Sequence, residues 1–201
     1  MTPQSFRQLL EELDPRVAAQ YSTINHHVDG MQYLCLHRSP RLTVKLYLID
    51  PALIDRQPGE FLVTPHTHRY AFESTVLAGS LDHVRFVESS AHDDGEAYDR
   101  FVYLPETRAR LEAGSTRLAV RERHTYGVGA SYWNDVRDIH TLAISDRLTV
   151  LGLTQFADTE RNSIVYVKPG AEMKYPAAHT PTTAPTDLMR RLALDAMDRN
   201  G

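Results

Sequence analysis

Along most of the chain, apolar residues recur in short bursts and not at the spacing of a helix. From about residue 32, runs rich in β-branched, aromatic and leucine residues alternate with Pro, Gly, Asp and Ser, the texture of strands separated by turns. The pattern predicts strands at 32–37, 43–49, 61–64, 72–78, 81–87, 100–104, 117–123, 130–134, 139–144, 148–155 and 163–167. So many strands with no helix between them argue for an all-β sandwich or barrel. The two ends read differently. Phe6, Leu9, Leu10, Leu13 and Val17 fall at helical spacing and predict an amphipathic helix over 4–20, interrupted near Pro15. Asp187 to Met197 predicts a short amphipathic helix capped by Thr186, after the linker-like Pro176 to Thr186. Ser89 to Asp99 and Pro105 to Ser115 read as surface connections, the second as a short helix or loop. The expected organisation is a helical segment over 1–30 packing on a barrel over 31–175, then a linker and helix over 176–201.

Composition narrows the function classes. The 201 residues suit one domain that needs neither disulfides nor a structural metal to hold its core. A metal here would serve function. The net charge of −4 gives no basic field for a phosphate backbone, so a small-molecule ligand is expected and nucleic acid is not. No apolar run approaches the roughly 18 residues of a membrane span, and the start carries acidic residues without the apolar core of a signal peptide. A cytoplasmic protein with no membrane partner is the expectation. The single cysteine, Cys35, excludes an internal disulfide and a Cys-rich zinc cluster, and its apolar neighbours mark it as a buried thiol.

Of the ten histidines, His26, His27, His37, His92 and His179 lie in or beside turns and read as solvated. His66 and His68 differ. Two residues apart at a strand end, their side chains share one face, so both imidazoles can reach one cation at about 2.1 Å.

The surrounding spacing resembles the cupin superfamily, whose first motif runs G-x5-HxH-x3,4-E-x6-G and whose second runs G-x5-PxG-x2-H-x3-N. The first reads Gly59-EFLVTP-His66-T-His68-RYAF-Glu73-STVLA-Gly79, with one extra residue before His66. The second reads Gly129-ASYWN-Asp135-V-Arg137-DI-His140-TLA-Ile144, so Asp135, Arg137 and Ile144 replace the turn proline, the turn glycine and the asparagine. The resemblance spans roughly 43–155. It implies a cupin-type double-stranded β-helix, a jelly-roll barrel, with His140 as third ligand beside His66 and His68. Counting back from Gly79, the family carboxylate falls on position 72, which is Phe72. By alternation Phe72, Ser74 and Val76 face inward and Glu73 outward, unless a bulge shifts it. Two sites follow: one with Glu73 as fourth ligand, and a three-histidine site, which the register favours and which resembles that of thiol dioxygenases.

An open imidazole site suits Fe(II), with Mn, Ni, Cu and Zn as alternatives. The implied function is a mononuclear non-haem iron(II)-dependent oxygenase or dioxygenase whose partners are dioxygen and a small polar metabolite. A non-redox isomerase, dehydratase or lyase, or a ligand-binding barrel without catalysis, would use the same ligands. Arg69 and Tyr70 directly follow the second ligand. His83, Arg85, Arg123, His124 and Tyr126 lie on strands or their ends, and only one of Tyr132 and Trp133 can face inward. Arg85, Tyr70 and Tyr132 are the expected catalytic or substrate-binding residues: an inward arginine would hold a carboxylate or phosphate, and an inward tyrosine would donate a proton or a hydrogen bond. A homodimer through an edge strand or the N-terminal segment is compatible with such a barrel.

Overall fold

The computed structural model describes all residues except 56, 90–94, 108, 144, 172–184 and 200–201. His92, His179, Ile144 and most of the linker therefore lie outside the described residues. The apolar bursts form β1 (Met31–Arg38), β2 (Leu42–Ile49), β3 (Tyr70–Ala78), β4 (Ser80–Ser89), β5 (Glu96–Leu104), β6 (Ala109–Gly127), β7 (Ser131–Asn134), β8 (Ile139–Ala143), β9 (Thr149–Asp158) and β10 (Ser163–Val167). One sheet runs β1-β2-β9-β3-β7, the other β10-β5-β6-β4-β8, with antiparallel pairing throughout. Residues 61–67 close the second sheet, because His66 bridges both His140 on β8 and Val165 on β10.

The pairing is nested. β2 pairs with β9, residues 61–67 with β8, β3 with β7, and β4 with β6. A long hairpin whose successive strands pair first with last and is then folded over on itself is a jelly roll. β1, β5 and β10 widen the two sheets.

The N-terminal segment is helical with the interruption expected near Pro15, forming α1 (Pro3–Glu11) and α2 (Pro15–Tyr21), capped by the side chains of Thr2 and Asp14; three expectations elsewhere are corrected. Pro15, lacking an N–H, opens α2 in its first turn, where no backbone donor is needed. Thr186 does not cap the last helix: α3 (Thr186–Asp198) includes it, Pro185 stands before it, and no side chain caps the end. Ala109 to Ser115 is strand, not helix or loop, since the register of β6 on β5 pairs Glu112 with Phe101 and Arg110 with Tyr103. Good helix formers such as Arg-Leu-Glu-Ala yield there to cross-strand pairing. Likewise the last residues of Ser89 to Asp99 belong to β5.

The first sheet is covered on its outer face by the terminal helices. Phe6 and Leu10 of α1 and Met189, Ala193 and Met197 of α3 pack with Leu34, Leu36, Val44, Leu46 and Leu48. Phe6 lies directly over Gly152, where an added Cβ would stand 2.6 Å from the ring. Inside the barrel, Tyr33, Cys35, Tyr47, Leu62, Phe72, Val76, Tyr132 and Leu153 form the second core, and Cys35 is the buried thiol expected. Among the described residues, no helix is long and apolar enough to cross a membrane.

Candidate metal centre

His66 lies near the end of the 61–67 segment, His68 precedes β3, and His140 stands on β8, so the bridge between His66 and His140 is what brings the two distant histidine positions together. Their rings form a near-equilateral triangle, with centroids 4.7 Å (His66 to His68), 4.9 Å (His66 to His140) and 5.0 Å (His68 to His140) apart. One nitrogen from each lies within 4.8 Å of the others. His68 Nε2 stands 2.9 Å from His140 Nε2. Two nitrogens bound at right angles to one cation at about 2.1 Å would sit roughly 3 Å apart, so this spacing fits a shared ion.

Tautomers support the same reading. His66 Nδ1 lies 2.9 Å from the Thr64 carbonyl. A carbonyl only accepts, so Nδ1 carries the proton and Nε2 keeps its lone pair. Burial pushes His66 below the ordinary histidine value. His68 and His140 lie well below it, through burial first and then the neighbouring imidazoles. All three are neutral near pH 7, the form a metal needs.

Position 72 is filled by a phenyl ring, 4.8 Å from the His68 ring and 5.6 Å from that of His140. Glu73 takes the opposite face, where its carboxylate accepts from the Met1 ammonium. A register shift does occur between Tyr70 and Phe72, but its extra residue lies on β9, where the partners jump from Asp158 to Gln155, so the alternation of β3 is untouched.

Tyr132 is buried and Trp133 is half-exposed against Phe156, so the inward residue of that pair is Tyr132. Its ring stacks on His83 at 4.2 Å, and burial pushes its hydroxyl far above the ordinary tyrosine value. Tyr70 lies 5.1 Å from the His68 ring, its phenol pushed up to about 12 by burial. Arg85 is placed differently from expectation: its guanidinium is held by Glu122 at 3.0 Å, by Asp138 at 3.7 Å and by the Trp133 carbonyl. With two carboxylates on it, Arg85 is not free for a substrate anion. Arg69 pairs with Asp158, and Arg123 with Asp82.

Two side chains gain roles that strand position alone did not give them. His83 Nε2 lies 3.0 Å from His140 Nδ1, and burial, followed by the Arg85 charge, pushes His83 down to about 4. The Asn134 side chain counters this by favouring the protonated His83, although its buried oxygen makes no hydrogen bond of ordinary geometry. The second is Lys45, buried on the inner face of β2, whose ammonium donates to Gln155 Oε1 at 2.8 Å and lies over the rings of Tyr33, Tyr47 and Tyr70. Its signal was a lysine in the middle of the apolar strand LTVKLYLI. A cleft of about 330 Å³ reaches His68 past Thr67, Arg137, Glu160 and Asn162. Another, of about 500 Å³, is walled by Arg38, Thr43, Gln155 and Asp158.

No family model matches the chain, and no curated protein does. Among solved structures it is similar to KdgF from Halomonas sp. (14% identity, 65% of this chain and 82% of that one, TM-score 0.34). It is similar to an RmlC-like cupin from Shewanella frigidimarina (14% identity, 70% and 88%, TM-score 0.36). Streptomyces albus HEPD, solved with 2-hydroxyethylphosphonate and Fe(II) bound, shares 9% identity over 70% of this chain and 25% of that one, with a TM-score of 0.41. Within this chain, the nested pairing of strands and the junction that gathers His66, His68 and His140 make the fold a jelly roll of the cupin type.

Proposed function

We propose that the chain is a mononuclear non-haem metalloenzyme, an iron(II)-dependent oxygenase acting on a small polar metabolite. The observation that carries this reading is the convergence of three neutral imidazoles with no carboxylate in their group among the described residues. Neutral nitrogen ligands leave a divalent ion its full charge and open positions, and imidazole sets suit iron(II). Bound there, iron(II) would serve as Lewis acid and as template for substrate and dioxygen.

The protein's own groups divide the remaining work. His66 is oriented by the Thr64 carbonyl and His140 by His83. Phe72 walls the site with apolar surface and keeps water from that side. Tyr70, a phenol held protonated beside His68, is positioned to donate a hydrogen bond to a bound substrate. That same phenol favours a second reading, a non-redox isomerase, dehydratase or lyase in which Tyr70 moves a proton.

The test is a screen of small amino and keto acids with the iron-loaded chain, reading dioxygen consumption and product together. Oxygen uptake coupled to product supports the oxygenase. Product formed equally under anaerobic conditions replaces it with the second reading, and a purified chain that binds no divalent metal overturns both.

A further inference from the structure

Lys45 is out of place by ordinary rules: a lysine is almost never fully buried unless a charge pairs with it. It is 4% exposed, and no described carboxylate lies within ion-pair distance of its ammonium. Among the described residues its ammonium donates to the neutral Gln155. The three tyrosine rings, at 5.3 to 5.6 Å, support a positive charge but do not neutralise it.

Cross-strand registers fix where Lys45 stands. Cys35, Lys45, Leu153, Ser74 and Tyr132 pair successively across β1, β2, β9, β3 and β7, and so form one row on the inner face of the first sheet. That row faces the barrel interior that also holds the histidines. Lys45 and His68 lie against the same ring, that of Tyr70, at 5.3 and 5.1 Å. Gln155, which holds the ammonium, also walls the cleft of about 500 Å³. Arg38 lines that cleft, and Asp158, the acidic residue among its described lining residues, is already paired with Arg69 at 2.9 Å.

We propose that Lys45 is an anion anchor, binding the carboxylate of a small monocarboxylic acid whose other end reaches toward His68. This deepens the metalloenzyme reading by naming its substrate class, and rests on that reading only for what lies at the far end. A single ammonium among aromatic walls matches a monocarboxylate. A phosphate would call for the forked donors of arginine.

Propionate and its uncharged counterpart propionamide, titrated calorimetrically into the metal-free full-length chain, test the anchor without the metal. The wild type is expected to bind propionate and to bind propionamide at least tenfold more weakly. Lys45→Met is expected to lose roughly tenfold or more in propionate affinity, about 1.4 kcal/mol, and Lys45→Arg to keep most of it. Lys45→Met is apolar and of similar length, and its melting curve confirms folding; Lys45→Gln serves as the second variant. Equal propionate binding by wild type and Lys45→Met, equal binding of acid and amide, or no binding by the wild type overturns the proposal. Metal content is measured separately on the same preparations, so the metal centre and the anchor fail independently.

Discussion

His140 and His83 face each other across β8 and β4, with His140 Nδ1 3.0 Å from His83 Nε2. If His140 binds an ion through Nε2, the nitrogen turned toward His68, its Nδ1 carries the proton and donates it to His83. His83 is therefore a positioning residue, held neutral by burial. Replacing it with Phe keeps the stack on Tyr132 but removes the acceptor. His83→Phe is expected to weaken iron(II) or zinc binding by about 10- to 100-fold with the fold intact, as read by competition against a chelator alongside circular dichroism. Unchanged affinity would show that His140 needs no orienting partner.

The two readings of the ligand set separate on Glu73. Its carboxylate serves the Met1 ammonium, on the face of β3 away from the histidines. Metal content by mass spectrometry is expected to stay near one ion per chain in Glu73→Gln and to collapse in His66→Ala, His68→Ala and His140→Ala. Loss of metal in Glu73→Gln would restore the four-ligand site.

What was legible in the sequence follows from which faces are buried. Period-two alternation on β3 separates Phe72 from Glu73, because one face meets the interior and the other does not. On β2, residues 43–49 are all buried, one face under the terminal helices and the other in the barrel. A strand buried on both faces has no alternation, so nothing in LTVKLYLI told which way Lys45 points. His83 was likewise placed on a strand, yet its contact with His140 depends on the register of β4 on β8, set by pairing between residues nearly sixty positions apart. Arg85, two residues on, was expected to meet substrate, but the partners that occupy it, Glu122, Asp138 and Trp133, come from three other parts of the chain. Strand at 109–115, where a short helix or loop over 105–115 is expected, has the same origin: local propensity is visible in sequence and the cross-strand partner is not.

Lys45 also gives stability a dependence on pH. Burial, the largest cause, lowers its folded value from 10.5 to about 7. Between those values the unfolded chain binds the proton and the folded chain does not, so this group's contribution makes stability rise as pH increases from about 7 toward 10.5. Below 7 the buried ammonium is charged in both states and its penalty is greatest. The difference in melting temperature between Lys45→Met and wild type is therefore expected to be largest near pH 6 to 7, with the variant more stable, and to shrink toward pH 10. A difference independent of pH would mean that Lys45 titrates as an exposed lysine.

The terminal helices are held to the barrel by a contact that can be tested from both sides. Phe6 is fully buried, and its ring occupies the space where a side chain at position 152 would be. Phe6→Ala removes an aromatic side chain from the core and is expected to cost about 3–5 kcal/mol. Gly152→Ala places a methyl group 2.6 Å from the ring and is expected to cost about 1–3 kcal/mol by overpacking. The two should not add. Once the ring is gone, the methyl group enters the vacated space, so Gly152→Ala in the Phe6→Ala background should be close to neutral or stabilising, a coupling on the order of 1–3 kcal/mol in a double-mutant cycle. Urea unfolding of the four proteins measures it, and additive costs would mean that α1 does not rest on β9 at this point. Because this contact lies on the outer face of the sheet, away from His66, His68 and His140, metal content should be the same in all four proteins while folded.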